Sequence, residues 1–210
     1  LKRTGQKNLC LAGGVALNSV SNARIKKEFD CNLFIQPSAG DAGGALGAAL
    51  HYYHSQSGAK RHQAFISPYL GPDVKRDDIL KALETSAIDE YEEFTTNDAL
   101  VDHVSERLSE GAVIGWMQGR CEWGPRALGN RSILANPSSP HMQEKVNVKI
   151  KFREPFRPFA PSILAEYASE YFDIRDDHNS SSPENFMISV SKVREDKRLT
   201  IPAVTHVDGS

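Results

Sequence analysis

The chain has 210 residues, of which 40% are hydrophobic and 25% are charged, and its formal net charge is −2 at pH 7. This composition is typical of a globular protein with a hydrophobic core, and it argues against a nucleic-acid binder that depends on bulk positive charge. No apolar run is long enough to span a membrane, and the three cysteines lack metal or redox spacing. We therefore expect a cytoplasmic protein.

Two strand–turn–helix units are predicted at the start of the chain. In the first, residues 8–12 form an apolar strand, Gly13 and Gly14 follow it, and apolar residues recur at helical spacing over 15–29. A helix N-terminus after a glycine turn presents free backbone N–H groups that can hold a phosphate. Such a turn can equally be only a tight connection.

The second unit is a strand over 31–36 followed by a helix rich in alanine and glycine. Asp41 precedes this helix and is predicted to be its N-cap. The small side chains after it allow another backbone or a ligand to lie close. The cap is the plain interpretation of Asp41, and a functional role is the alternative.

A change of composition over 57–67 predicts a linker, and new helices and strands begin beyond it. A helix is predicted over 77–87, a strand over 91–94, and a second helix, capped by Thr96, over 99–109.

A strand over 112–117 leads into a loop over 119–137 that is rich in glycine and contains Arg120, Arg126 and Arg131. Arginine presents a rigid fork of donors that binds phosphate at two points, which lysine cannot do. The loop therefore predicts an anion pocket at the end of the strand. The alternative is a solvated turn with incidental charge.

A second group of cations lies in the segment 149–161, where four cations alternate with three phenylalanines and three prolines. We expect the prolines and aromatic rings to make a stiff, partly buried segment that holds its cations in place. Fixed cations at a partly dry site suit a phosphorylated substrate.

The remaining segments predict short helices and strands. They are a helix with Pro140 in its first turn, a strand over 162–164, a short helix to Phe172, a polar loop over 173–184, and strands over 186–193 and 201–207. The alternation of helices with short strands predicts an α+β or α/β fold.

The sequences GRCEWGPRALGNRSILANP and KIKFREPFRPFAPSIL resemble the C-terminal domain of the ATP-dependent O-carbamoyltransferases. This family includes enzymes that modify nodulation factors and enzymes that tailor aminoglycoside, cephalosporin and novobiocin-type antibiotics. The resemblance extends through most of the chain.

The resemblance implies a division into two domains. Residues 1–56 look like the end of an actin-like ATPase domain, and residues 68–210 look like a YrdC-like domain with a twisted mixed sheet and helices. Residues 1–5 have the pattern of a last helical turn with a glycine cap. We therefore expect a fragment whose partner is the N-terminal half of the same protein.

The resemblance also assigns roles in the first domain. In the family the segment with Gly13, Gly14 and Asn18 lies at the nucleotide phosphates. Asp41 corresponds to a ligand of a metal, usually iron, whose other ligands are a histidine pair that this chain does not contain.

In the second domain, the resemblance implies that carbamoyl phosphate and ATP, with Mg²⁺, form carbamoyl adenylate. The carbamoyl group then passes to a hydroxyl of a small-molecule or oligosaccharide acceptor. The candidate catalytic residues are Arg126, Arg131 and Arg157. The candidate substrate- and nucleotide-binding residues are Arg120, Glu122, Gly124, Ser132, Lys151 and Arg153. Glu122 has a plainer interpretation, in which it only orients an arginine.

Two other functions fit parts of the pattern. A YrdC-like module could bind RNA or nucleotides, but the chain lacks the wide basic surplus that RNA binding needs. An ATPase switch could use the actin-like fold, of which the chain holds only a small part.

Overall fold

The fold is α+β, as the sequence predicts, with short strands and helices alternating along the chain. The computed structural model describes residues 1–29, 31–57, 67–174 and 182–210. Residues 58–66 of the predicted linker over 57–67, and residues 175–181 of the predicted polar loop over 173–184, lie outside the described residues.

Strands β1 (Asn8–Leu11) and β2 (Asn32–Ile35) pair in parallel in the first part of the chain. Helix α1 (Ser19–Phe29) makes the crossover between them that parallel pairing requires. Helix α2 (Asp41–Ser57) follows β2. The two predicted strand–turn–helix units are therefore confirmed.

The predicted helix over 15–29 is interrupted at Asn18. Gly14–Leu17 forms one turn of 3-10 helix, and Asn18 then leaves the helical conformation with φ −76° and ψ 96°. Its side-chain oxygen accepts a hydrogen bond from the Ser21 backbone N–H at 3.0 Å. Asn18 therefore caps α1, a position that asparagine favours because its short side chain bonds nearby backbone groups.

Two helices precede the arginine-rich region, α3 (Arg76–Thr85) and α4 (Asn97–Ser109). The Thr96 hydroxyl accepts a hydrogen bond from the Ala99 backbone N–H at 3.2 Å and caps α4 as predicted.

Strands β3 (Val113–Met117) and β4 (Arg131–Ala135) form an antiparallel hairpin. The predicted loop over 119–137 is therefore too long, because its last part is a strand. The sequence from Ile133 to Ala135 is apolar and lacks glycine and proline, so it pairs with β3.

After the hairpin, helix α5 (Met142–Glu144) continues as a π-helix over Lys145–Ile150. The predicted short helix before Phe172 is confirmed as α6 (Ala168–Tyr171).

Four predicted strands in the second part are wrong, namely those over 91–94, 162–164, 186–193 and 201–207. Pro183 and Pro202 each begin a 3-10 turn instead, and Met187 has a φ of 56°, which no strand accommodates. In the described part of residues 68–210, the β structure consists of the hairpin and two isolated bridges. The expected larger mixed sheet is not formed there.

The main hydrophobic cluster joins the two parts of the chain. Ala16, Leu33 and Ile35 come from the first part, and Phe186 and Ile188 come from the second. A second cluster, under the hairpin, consists of Met142, Val146 and Ala203. The first 57 residues therefore share a core with the C-terminal residues.

Asn22 is a fully buried polar link between the same two parts. Its side-chain amide donates hydrogen bonds to the carbonyl oxygens of Ala16 and Ile188, both at 2.8 Å. Because these carbonyls are buried, each would lose a partner if the amide were removed.

We expect Asn22→Ala to lower the free energy of unfolding by about 2 kcal/mol, since it leaves buried acceptors unpaired. Urea denaturation followed by circular dichroism measures this loss. Ser21→Ala, one residue earlier at an exposed position of α1, is the control and should cost under about 0.5 kcal/mol. Equal stability of the two variants would contradict the proposed link.

Helix α2 lies largely on the surface, and none of its residues from 41 to 56 is buried. Its first turn packs closely, since a Cβ at Gly43 would clash with the Ser38 carbonyl oxygen. Only glycine fits at this contact. None of the helices in the described ranges combines the length and the apolar character that crossing a membrane requires.

Candidate functional site

The loop over 118–130, which joins β3 to β4 and is called the arginine loop below, is organised by Glu122. The Glu122 Oε1 atom accepts backbone hydrogen bonds from Leu128 at 2.7 Å, Asn130 at 2.8 Å and Arg131 at 3.2 Å. One carboxylate oxygen thus closes the loop from its start to its end. The partners of Glu122 are backbone N–H groups, including that of Arg131, so Glu122 positions the loop and its arginines through the backbone.

These contacts also set the ionisation of Glu122. Partial burial raises the pKa of Glu122, but its backbone N–H donors lower it by more, so the net pKa lies below the ordinary 4.5. Tyr69 supports the same closure, because its hydroxyl donates to the Leu128 carbonyl oxygen at 2.8 Å. Burial, and then the charge of Glu122, raise the pKa of Tyr69.

The arginine loop docks onto the segment between β2 and α2. The buried Ser38 hydroxyl donates to the Trp123 carbonyl oxygen at 2.5 Å, and the Trp123 backbone N–H donates to the Pro68 carbonyl oxygen at 2.6 Å. Gly124 has a φ of 141°, and a Cβ there would lie 2.6 Å from the Ser38 hydroxyl oxygen. The structure therefore gives Gly124 a packing role, in addition to the binding role that the sequence predicts.

Arg126 extends from the arginine loop towards the first part of the chain. Its Nη2 donates to the Leu17 carbonyl oxygen at 3.4 Å, in the turn that follows Gly14. Its Nε is buried and has no hydrogen-bond partner in the described part of the chain. A buried guanidinium N–H without a partner is unusual, and it marks a place where a ligand or water can bind.

Arg126 lines a cavity of about 800 Å³. The walls come from the start of α1, the segment 158–161, α6 and the C-terminal residues. Apolar side chains make up much of this lining, and the polar groups include Arg126, Ser189, His206 and Asp208. A largely apolar cavity with a few polar groups is the usual form of a small-molecule site.

The other residues predicted on the loop lie elsewhere. Arg120 is exposed, with its Nη2 donating to the Leu70 carbonyl oxygen at 3.3 Å, and Arg131 is exposed at the start of β4. The Ser132 hydroxyl accepts a hydrogen bond from the Gly129 backbone N–H at 3.1 Å. Of Arg120, Arg126 and Arg131, only Arg126 lines the cavity.

The segment 149–161 is held by Asn147, which the sequence did not single out. Asn147 is fully buried, and its amide donates to the carbonyl oxygens of Pro155 at 3.1 Å and Arg157 at 2.8 Å. Its side-chain oxygen accepts a hydrogen bond from Arg153 Nε at 2.7 Å. A polar residue between Val146 and Val148 is the sequence signal that could have revealed it.

Arg153 is the cation of this segment that the structure fixes most firmly. Besides its bond to Asn147, its guanidinium lies 5.1 Å from the centre of the Phe159 ring, which also lines the cavity. The predicted rigid cation is therefore observed at this position.

The expected burial of the rest of this segment is wrong. Phe152 is 86% exposed and Phe156 is 69% exposed, while Lys151 and Arg157 are also on the surface. Arg157 contacts Glu154 at 3.8 Å. These side chains are exposed because the segment turns its backbone carbonyls, and not its side chains, towards the buried Asn147.

The candidate residues of the first part are on exposed turns and helix ends. Gly13 and Gly14 are both exposed. The Gly13 backbone N–H donates to the Ala39 carbonyl oxygen at 2.8 Å and is therefore already paired. Asp41 is exposed as the first residue of α2. In the described residues, no group of three or more histidine, cysteine, aspartate or glutamate side chains could hold a metal ion. Asp41 alone can supply one ligand, so these residues do not form an iron site by themselves.

Two family models match the chain. The model for the carbamoyltransferase C-terminus matches residues 105–210, and the model for the carbamoyltransferase N-terminus matches residues 1–50. The chain therefore belongs to the carbamoyltransferase family, and the resemblance of its two arginine-rich sequences is confirmed at this level.

Several of the similar proteins are named nodulation proteins. Nodulation protein NolO of Bradyrhizobium diazoefficiens is 42% identical over 211 residues, which cover 100% of this chain and 38% of that protein. Nodulation protein NolNO of Sinorhizobium fredii is 42% identical over 99% of this chain and 30% of its own length. Nodulation protein U of Rhizobium tropici is 34% identical over 98% of this chain and 32% of its own length. The chain thus spans about a third of the length of these curated relatives.

Proposed function

We propose that this chain carries the carbamoyl-activating site of an ATP-dependent O-carbamoyltransferase. The observation that carries the proposal is Arg126, which lines the 800 Å³ cavity and whose buried Nε has no hydrogen-bond partner among the described residues. An arginine donor in a partly dry cavity binds an anionic oxygen more strongly than an exposed one does. Membership of the carbamoyltransferase family supplies the reaction class.

The proposed chemistry has three steps. Water hydrolyses carbamoyl phosphate to carbamate and inorganic phosphate. A carbamate oxygen then attacks the α-phosphorus of ATP, forming carbamoyl adenylate as pyrophosphate leaves. Finally, a hydroxyl of a small-molecule or oligosaccharide acceptor attacks the carbamoyl carbon and releases AMP.

Cations suit the second step because negative charge develops on phosphate oxygens as the pyrophosphate departs. Arg126 would hold an anionic oxygen inside the cavity. The exposed candidates Arg120, Arg131, Lys151 and Arg157 would contact outer phosphates, and Arg153 would act from beside Phe159. Mg²⁺ bound to ATP would neutralise part of the phosphate charge.

The transfer step is proposed to need the longer protein. Gly13, Gly14 and Asn18 would lie near nucleotide phosphates, and Asp41 would contribute one iron ligand beside ligands from outside this chain. Because the chain spans about a third of its relatives, the acceptor contacts are expected in the remaining two thirds.

We expect Arg126→Lys to lower carbamoyl-phosphate-dependent pyrophosphate release from ATP by at least about tenfold. Lysine keeps the charge but loses the Nε–H and the planar fork. Arg157→Lys should have a smaller effect, because Arg157 is exposed and makes only a 3.8 Å contact to Glu154.

The assay uses the purified 210-residue chain, with circular dichroism as the test of folding. The control is Arg107→Lys on α4, where the arginine pairs with Glu110 at the surface. A wild-type rate in Arg126→Lys would remove the assignment of Arg126. Absence of carbamoyl-phosphate-dependent pyrophosphate release by the folded wild-type chain would overturn the proposed function.

A further inference from the structure

Ser189 lines the same cavity as Arg126, and its hydroxyl oxygen is buried without a hydrogen-bond partner among the described residues. In the described ranges, two side-chain polar atoms are buried without a hydrogen-bond partner, namely Arg126 Nε and Ser189 Oγ. Both residues line the same cavity of about 800 Å³.

The position of Ser189 is fixed by its neighbour. Ile188 is fully buried, its carbonyl oxygen accepts from the Asn22 amide at 2.8 Å, and its backbone N–H donates to the Pro183 carbonyl oxygen at 3.1 Å. These contacts hold the backbone immediately before Ser189 against the core shared by both parts of the chain.

A buried hydroxyl without a partner costs free energy, and proteins retain such groups mainly where a ligand or water completes them. A serine hydroxyl can donate one hydrogen bond, and a guanidinium Nε–H donates another. Two donors without partners are suited to an oxygen that carries negative charge, because bonds to charged acceptors are the stronger ones.

We propose that Ser189 is a ligand-binding residue that donates a hydrogen bond to a phosphate-type oxyanion in the cavity, together with Arg126. The inference rests on the proposed function for the source of that anion, which is carbamoyl phosphate or a polyphosphate. The shared chemistry is a tetrahedral phosphate group, and separate titrations distinguish the two sources.

The test is calorimetric titration of the 210-residue chain with inorganic phosphate, carbamoyl phosphate and pyrophosphate as separate probes. Ser189→Ala should weaken binding of at least one probe about five- to tenfold, as expected for loss of a hydrogen bond to a charged group. The probe most affected identifies the anion that Ser189 contacts. Ser105→Ala, at an exposed position of α4 that does not line the cavity, is the control and should stay within about twofold.

Thermal unfolding without ligand provides a second, independent readout. Removing a hydroxyl that has no partner should leave the melting temperature unchanged or raise it, whereas removing a bonded hydroxyl lowers it. Weaker anion binding with no loss of stability is therefore the expected combination. Ser189→Cys, which has nearly the same size but a weak donor, should bind as poorly as Ser189→Ala and covers the case in which alanine disturbs the fold.

Wild-type affinity for all three probes in both Ser189 variants would overturn the inference. If Arg126→Lys then still weakens binding, the proposed function stands without Ser189. If instead Ser189→Ala weakens phosphate binding but the wild-type chain releases no pyrophosphate, the anion site stands and the proposed function fails.

Discussion

Glu122→Ala is expected to lower carbamoyl-phosphate-dependent pyrophosphate release at least about a hundredfold, which corresponds to about 2.7 kcal/mol of lost transition-state stabilisation. The carboxylate accepts three backbone hydrogen bonds at 2.7, 2.8 and 3.2 Å. Alanine leaves all three N–H groups without their acceptor and opens the loop that carries Arg126. The effect should exceed that of Arg126→Lys, because the whole loop loses its position.

The pH dependence of stability tests whether the ionised form of Glu122 is the one that holds the loop. The pKa of Glu122 in the folded protein is lowered, so its contribution to stability is fully present above the pKa of an unfolded glutamate, near 4.5. The contribution is lost as the pH falls through the lower, folded-state pKa. Glu122→Gln cannot titrate, so its stability deficit relative to the wild type should be constant from pH 7 to about pH 6 and should shrink in more acidic solution.

The measurements are pyrophosphate release at pH 7 and urea unfolding across the acidic range. Glu106→Ala, at an exposed position of α4, is the control for loss of a glutamate and should change neither quantity appreciably. Glutamine retains an acceptor oxygen, so Glu122→Gln should recover part of the activity that alanine loses. Wild-type activity in Glu122→Ala, or a deficit of Glu122→Gln that does not change with pH, would contradict the role of the carboxylate.

The sequence predicts the local elements well where the signal is a helical period or a chemical cap. Thr96 is such a cap, and the spacing of apolar residues after it predicts α4. The failures occur where alternation alone suggests a strand: residues 186–193 alternate, yet Pro183 and the left-handed Met187 direct the chain into turns. A strand also needs a partner with free N–H and C=O groups, which a local pattern cannot supply.

The candidate site, too, could be predicted from the sequence only in part. Glycine, proline and arginine in one loop predict an anion site, and the structure brings Arg126 of that loop into a cavity wall. Ser38 and Asn22 could not be found in this way, because their partners, Trp123 and Ile188, lie 85 and 166 residues away in sequence. Such contacts depend on the tertiary fold, and a single sequence contains no local trace of them.

These long-range contacts bind the two parts of the chain into a single site. Ser38 holds the arginine loop through Trp123, and Leu17 accepts a hydrogen bond from Arg126 at 3.4 Å. Lys26 on α1 pairs with Glu184 at 3.2 Å, and both side chains are mostly buried. Because Glu184 and the start of α1 line the cavity, residues 1–57 form part of its wall. Removing the first part should therefore impair the cavity as well as the core.

Asn147→Ala is expected to be more destabilising than Asn22→Ala, lowering the free energy of unfolding by about 3 kcal/mol. Asn147 is fully buried and serves two carbonyl oxygens and the Arg153 guanidinium at 2.7 to 3.1 Å. Alanine removes all three bonds, and of the two carbonyl oxygens only that of Arg157 keeps another side-chain donor, the Gln143 amide at 3.2 Å. For a chain of this length, the loss corresponds to about 6–12 °C in melting temperature.

Asn147→Asp distinguishes the donors from the acceptor. Aspartate keeps an oxygen for Arg153 but replaces the amide donor with an oxygen facing the carbonyls of Pro155 and Arg157. We expect it to be at least as destabilising as alanine, because two acceptors then oppose each other in a buried position.

Thermal unfolding and urea denaturation measure both variants. Asn32→Ala, which removes an exposed amide bonded to Asn8 at 2.9 Å, is the control and should cost under about 1 kcal/mol. If Asn147→Asp is as stable as the wild type, Arg153 is the only partner that matters, and the carbonyls of the segment do not depend on Asn147.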